Sequence, residues 1–361
     1  MRKRKRSDWT SESISHRRAA FCRNRPAYNH NPYFTPSILG RHTVVIPEKL
    51  NLFNRRGRED LYIFLRQLAE IPASCKVFID FSKVSEVKVS AVLVLFAHLE
   101  IMLQGRGVRR VFWEKPSDVL ISSGLSELGV WALLGESYSS VDGAIRICSV
   151  SSEENQSDER QSLRDAITYA KESISFHQEP NLTEDADDVV FAAISESFTN
   201  VWQHAYAEDL GRKYRTLNDM PSVRKWWIAL RHINGQLFMA VYDVGVGIPF
   251  STRKKDWYTS LKQDVLEMFG GVSADNQDIV TALEYGNSRY KIQGRGNGLP
   301  AMKKFVEINP DGVLRIMSGK GMYIYRSQTD KASSDDLEFS FPGTLVQWNV
   351  ALTAGGKSDD N

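Results

Sequence analysis

Ser195-Glu196-Ser197-Phe198-Thr199-Asn200-Val201-Trp202-Gln203-His204-Ala205-Tyr206 is the stretch on which the reading of this chain turns. Glu196, Asn200 and His204 fall at steps of four, so in a helix they line one face. Val190, Phe191, Ile194, Phe198 and Val201 make the opposite face apolar and suited to packing on a sheet. Asp185, Asp187 and Asp188 favour a helix start just upstream through the macrodipole. The polar stripe has chemical capacity. The Asn200 carbonyl oxygen can ligate Mg²⁺, a hard cation that takes a few protein oxygens together with phosphate and water. Glu196, one turn earlier, can accept a proton from an attacking water or hydroxyl. A solvated helix face has the same spacing, so the stretch by itself leaves both readings open.

Downstream, Lys225-Trp226-Trp227-Ile228-Ala229-Leu230-Arg231-His232-Ile233 and Gln236-Leu237-Phe238-Met239-Ala240-Val241-Tyr242 predict two strands joined at Asn234-Gly235, a strong hairpin signal. The second strand ends at Asp243. Gly245 and Gly247 then remove side chains where the backbone must turn or approach a ligand, and Pro249 stops further sheet pairing. A carboxylate at a strand end beside two glycines can accept a hydrogen bond from an exocyclic amine in a partly buried pocket. An ordinary glycine loop after a strand fits this segment as well. Further on, Gly294-Arg295-Gly296-Asn297-Gly298 runs into Leu299-Pro300-Ala301-Met302-Lys303-Lys304-Phe305-Val306, which predicts a glycine loop opening a helix. Free N–H groups with a helix dipole behind them favour phosphate oxygens. No Gly-Lys-Ser/Thr ending follows, so this is not a Walker loop. Residues 285–293 read as loop rather than strand, unlike the approach to a dinucleotide fingerprint.

Taken in order, with Gly343-Thr344 as a fourth box, these segments resemble the GHKL ATPases, the superfamily of gyrase, heat-shock chaperones, histidine kinases and MutL. The resemblance covers residues 183–352. Within the superfamily, Ser-Glu-x-x-Thr-Asn-x-x-x-His-Ala-Tyr is similar to the bacterial anti-sigma-factor serine kinases. The resemblance implies a Bergerat-type α/β two-layer sandwich that binds ATP with Mg²⁺. It implies Glu196 as general base, Asn200 as Mg²⁺ ligand and Asp243 as reader of the adenine amino group. Gly245 and Gly247 would shape the base pocket, and Thr344 would support the adenine end through the Asp243 region. Gly294, Gly296 and Gly298 would form a lid over the phosphates, with Arg295 as a phosphate contact. Residues 250–293 are longer than a compact anti-sigma kinase needs and predict helices at 256–269 and 278–285, and another insertion lies at 208–223. The histidines are scattered, with no phosphoacceptor helix of the histidine-kinase type, and His204 reads as a helix-face residue that orients its neighbours.

Earlier in the chain, strand patterns at 43–46, 76–80 and 108–113 alternate with helical patterns at 58–68, 90–103 and 117–125, which predicts α/β architecture. Asp80-Phe81-Ser82-Lys83-Val84-Ser85-Glu86-Val87 and the helix after it resemble a STAS domain, the fold of anti-anti-sigma factors, over residues 43–136. In that family a strand ending in Asp leads to an Asp-Ser-Ser-Gly-like turn whose serine is the kinase target. Here the turn is Lys88-Val89-Ser90-Ala91, without the acid or the glycine. Ser90 is therefore read as a helix N-cap, and the domain as an interaction module rather than a substrate.

The chain has 361 residues, 42% of them hydrophobic and 25% charged, enough for two domains with cores of their own. The division read from composition is a basic arm at 1–42, a STAS-like domain at 43–148, a Ser/Glu/Gln/Asp-rich linker at 149–162, the ATP-binding domain at 163–353 and a tail at 354–361. Residues 1–25 carry nine Lys/Arg and two acids, a balance of +7, leaving about −5 for the rest of a chain whose net charge is +2. That arm can touch nucleic acid or another polyanion, although a short basic tail without a folded reading element is first a solvated arm. The sequence predicts no bilayer-crossing run and no secretory signal, hence a cytoplasmic protein. Cys22, Cys75 and Cys148 lack metal-ligand spacing. Three functions stay open. One is an ATPase or kinase-like regulator acting on a partner protein, with residues 163–175 able to brace the domain or mediate a homodimer. The others are a nucleotide-gated interaction module with negligible turnover and a DNA-associated ATP clamp.

Overall fold

The computed structural model describes residues 37–38, 40–136, 147–151, 225–233, 236–255, 258, 273–284, 298–309 and 311–351, with Gln161, Arg164, Thr168 and Ala205 besides. The architecture is mixed α/β, with one largely parallel sheet, one antiparallel sheet and a two-stranded parallel ribbon. The N-terminal elements follow as β1 (Ser37–Ile38), β2 (Arg41–Val45), β3 (Lys49–Leu50), α1 (Arg55–Glu70), β4 (Lys76–Asp80), β5 (Glu86–Val87), α2 (Val89–Arg106), β6 (Val111–Glu114), α3 (Val119–Glu127) and α4 (Val130–Leu133). Their sheet has the order β1-β2-β4-β6, in which β2, β4 and β6 are parallel and β1 is antiparallel. Helix α1 starts where the Asn54 side chain accepts the Gly57 N–H at 2.7 Å. It buries Leu61, Phe64, Leu65 and Leu68, one stripe at helical spacing.

Helix α2 differs from α1. Every side chain from Ser90 to Leu99 is buried, and a helix that is apolar all round must be enclosed on more than one side. The second wall comes from the C-terminal elements β7 (Cys148–Ser151), β8 (Lys225–Ile233), β9 (Gln236–Asp243), α5 (Ile248–Thr252), α6 (Ala274–Glu284), α7 (Gly298–Glu307), β10 (Val313–Arg326) and β11 (Lys331–Ala351). Their strands form an antiparallel sheet of order β10-β11-β9-β8-β7. Trp227, Ala229, Ala240, Tyr242 and Leu345 on one face join the core that contains α2. Trp226, Ile228, Leu230, Met239, Val241 and Trp348 point the other way, into a second core with α6 and α7. Polar contacts seal the shared face. Glu100 on α2 accepts from Trp227 Nε1 at 2.6 Å, Lys225 Nζ at 2.8 Å and Ser149 Oγ at 3.1 Å. Arg231 on β8 pairs with Glu127 on α3 at 2.7 Å. By length and composition α2 is able to cross a membrane, contrary to the sequence expectation, yet 72% of it is buried inside the protein.

Several boundaries differ from those read off the sequence. The expected strand at 108–113 opens as a 3-10 turn, Val108–Arg110, because pairing with β4 begins only at Val111 opposite Val77. Helix α3 begins later than residue 117 because Asp118 is the cap, its carboxylate accepting the N–H groups of Leu120 and Ile121 at 2.8 and 3.2 Å. Helix α6 begins at Ala274 rather than at 278, with Asp275 favouring its first turn. The helix expected at 256–269 lies, apart from Tyr258, outside the described residues, as do the insertion at 208–223 and most of 163–175.

Ser90 is not an N-cap. The cap of α2 is Lys88, in extended backbone and without a side-chain bond, and Ser90 sits inside the first turn, 0% exposed. Its hydroxyl has no hydrogen-bond partner among the described residues. The helix starts two residues earlier than a Ser90 cap requires because Ala91 and Val92 donate back to Lys88 O at 3.0 and 3.1 Å.

Candidate functional site

The C-terminal sheet brings three of the sequence-predicted segments to one edge. Asp243 is the last residue of β9, paired with Thr344 on β11 and with Trp226 on β8. Its side chain follows Met239 and Val241 in strand alternation, so it lies on the α6/α7 face rather than on the α2 face. Only 4% of Asp243 is exposed. Its Oδ1 accepts the Gly245 N–H at 2.8 Å. Burial pushes its carboxyl up to about 7, while the backbone N–H groups of Gly245 and Thr344 hold it down in part. A carboxyl so poised is a strong acceptor sheltered from water, suited to a ligand N–H.

The glycines around it are sterically required. Gly343 has φ +80°, and a Cβ there would stand 1.9 Å from Asp243 O. At Gly245 a Cβ would meet Ala205 O at 2.3 Å, and the same carbonyl accepts the Val246 N–H at 3.2 Å. Ala205, the described residue of the Glu196-to-Tyr206 stretch, is thus buried against the first glycine box. Gly247 has φ +82° and precedes α5, which carries Pro249 in its first turn.

Sequence reasoning overlooked Ser318, the residue that ties these pieces together. It is 0% exposed, stands opposite Thr344 on β10, accepts the Ile248 N–H at 2.9 Å and donates to Gly343 O at 3.2 Å. Thr344 Oγ1, at 3.1 Å, completes its set as a donor. No motif marks this serine. Its signal is only the strand alternation of Leu314, Ile316 and Ser318, broken at Gly319.

The described part of the 250–293 insertion braces the same edge. Asp275 on α6 accepts the Lys320 N–H at 2.7 Å and pairs with Arg253 at 2.6 Å, and Arg253 also pairs with buried Asp278. Asn276 accepts the Met322 N–H at 3.0 Å and donates to Asp336 at 2.6 Å. Helix α7 starts at Gly298 and packs Phe305 edge-on against Trp348 at 5.0 Å. Glu196, Asn200, His204, Gly294, Arg295 and Gly296 lie outside the described residues. Among the described residues no group of His, Cys, Asp and Glu is arranged to hold a metal ion. Asp243, a single carboxylate committed to backbone N–H groups, fits a hydrogen-bonding ligand better than a cation. No family model matches the chain, and no curated protein is similar to it in sequence.

Proposed function

We propose that the C-terminal unit is a GHKL-type ATP site of Bergerat architecture, and that the N-terminal unit is a STAS-like interaction domain. Asp243 would accept the adenine amino group, Gly245 and Gly247 would leave room for the base, and Thr344 would hold the carboxylate through its backbone N–H. Asn200 would ligate Mg²⁺ and Glu196 would act as general base on the incoming hydroxyl or water. Gly294, Arg295, Gly296 and Gly298 would close over the phosphates. Bound Mg²⁺ would neutralise phosphate charge. The single observation that supports this reading most is convergence. Ala205 and Gly343-Thr344, far apart in sequence, both touch the Asp243-to-Gly247 segment.

In this reading the protein is a regulator that hydrolyses ATP or passes its phosphate to a protein partner. Radiolabelled ATP tests the reaction, with free phosphate and labelled protein followed separately. Glu196→Ala is expected to keep nucleotide binding while losing most turnover, since a base acts on the transition state more than on the ground state. Turnover at the parent rate in that variant would place the base elsewhere. The second reading, a nucleotide-gated interaction module with negligible turnover, is favoured by the shared core between α2 and the sheet that bears Asp243. In that case nucleotide binds without release or transfer of phosphate.

A further inference from the structure

The strand that carries Asp243 also carries the innermost polar contact of the α2 interface. His98 on α2 is 2% exposed, and its Nε2 lies 2.9 Å from Tyr242 Oη. Tyr242 Oη in turn donates to Pro342 O at 2.7 Å. A phenol has one proton, so Tyr242 accepts from His98, which fixes the His98 proton on Nε2. Burial holds this imidazole down at about 4, so it stays neutral near physiological pH and keeps that tautomer.

The ring of Tyr242 is also confined. Trp227 lies 6.0 Å from it and Phe341 meets it edge-on at 5.9 Å. These rings hold the hydroxyl oxygen between His98 Nε2 and Pro342 O. A core built only for apolar burial would hold a phenylalanine and a leucine here at no desolvation cost.

Sequence adjacency gives the contact its consequence. Tyr242 precedes Asp243 on β9, while Pro342 precedes Gly343 and Thr344 on β11, and Thr344 is the pairing partner of Asp243. The bond from His98 through Tyr242 to Pro342 spans the two strands at the level of the site, from the opposite face of the sheet. We propose that His98 is a positioning residue for the nucleotide site, setting through Tyr242 the spacing of β9 and β11 where Asp243, Gly343 and Thr344 meet. The N-terminal unit thereby controls nucleotide affinity within the same chain. This inference rests on the reading of Asp243 as the adenine contact.

The test uses the full chain and calorimetric titration with Mg-ATP. His98→Leu and Tyr242→Phe are each expected to weaken binding by about fivefold to tenfold, the effect of one buried hydrogen bond. The double variant should be no weaker than either single one, because both remove the same interaction. His98→Gln, whose amide still donates, should recover most of the affinity. Arg231→Ala, which breaks the pair with Glu127 across the same interface, should bind as the parent does. Parent-like affinity in folded His98→Leu would overturn the inference, and so would an equal loss in Arg231→Ala, which would reduce the contact to general interface stability. If His98→Leu does not fold, Tyr242→Phe, which lacks a single oxygen, decides alone. A parent chain that binds no Mg-ATP fails at the earlier step and removes the reading of the site itself.

Discussion

The two faces of the C-terminal sheet are both apolar, yet they do different work. The face bearing Trp227, Ala229, Ala240 and Tyr242 is closed by α2, and the polar groups His98 and Glu100 of that helix are paired with it. The face bearing Trp226, Ile228, Met239 and Val241 is covered by α6 and α7 and ends on Asp243, a carboxyl held in a sheltered place. Strand alternation separates the two by a single residue, since Tyr242 and Asp243 are neighbours that point in opposite directions. One peptide unit therefore links an interface to a site, and the two faces are chemically distinct but mechanically joined.

The comparison is sharpened first by emptying the closed face. Trp227 is 0% exposed and donates to Glu100, so Trp227→Ala is expected to cost about 3–5 kcal/mol in a urea unfolding experiment. A loss below about 1 kcal/mol would mean that α2 is not a required wall of this core. On the opposite edge, Gly343→Ala places a methyl group on Asp243 O and forces a left-handed conformation. About 1–3 kcal/mol of strain is expected in thermal melts, together with weakened nucleotide binding. Unaltered melting would show that the edge between β9 and β11 has more slack than its geometry allows.

Acidity distinguishes the faces next. Asp243 is raised from 3.8 to about 7, so its neutral form is favoured by folding. Its contribution to stability is fully present below the ordinary value of 3.8 and is lost as pH rises through about 7. A ligand amine donating to this carboxyl favours the ionised form. Mg-ATP affinity of the parent, taken relative to Asp243→Asn, should therefore rise from about pH 6 to about pH 8. His98, depressed to about 4 on the other face, contributes no step in that interval. A ratio that stays flat with pH would remove Asp243 from contact with the ligand.

The smallest effect is expected at Ser90. Its hydroxyl is buried and lacks a partner among the described residues, so Ser90→Ala should be neutral or stabilising by up to about 1 kcal/mol. Complete burial also makes it inaccessible to a kinase. Mass spectrometry that finds stoichiometric, ATP-dependent phosphate on Ser90 would contradict this.

How much of this was legible in the sequence depends on how local the determinants are. The β8–β9 hairpin was readable because Asn234-Gly235 separates two strongly apolar runs, and Asp243 was readable because glycines follow it at once. Helix α2 was readable as a helix but not as the shared wall of two sheets, since its lack of amphipathic periodicity reports enclosure without naming what encloses it. The long strands β10 and β11 escaped because Gly319 and Gly321 interrupt the first and the polar run at 331–336 opens the second. Ser318 escaped with them, its importance coming only from pairing with Thr344. The Ser90 misreading has the same origin: a serine near a helix start resembles a cap until the backbone at Lys88 shows where the helix begins.

The most direct measurement of the central claim is calorimetric titration of Mg-ATP into the parent chain and into Asp243→Asn. The account predicts binding by the parent and a loss of at least about tenfold in the variant, whose fold should be intact because the amide is nearly isosteric and removes only a buried acidic group. Equal affinity in the two proteins, or no binding by a folded parent, would contradict it.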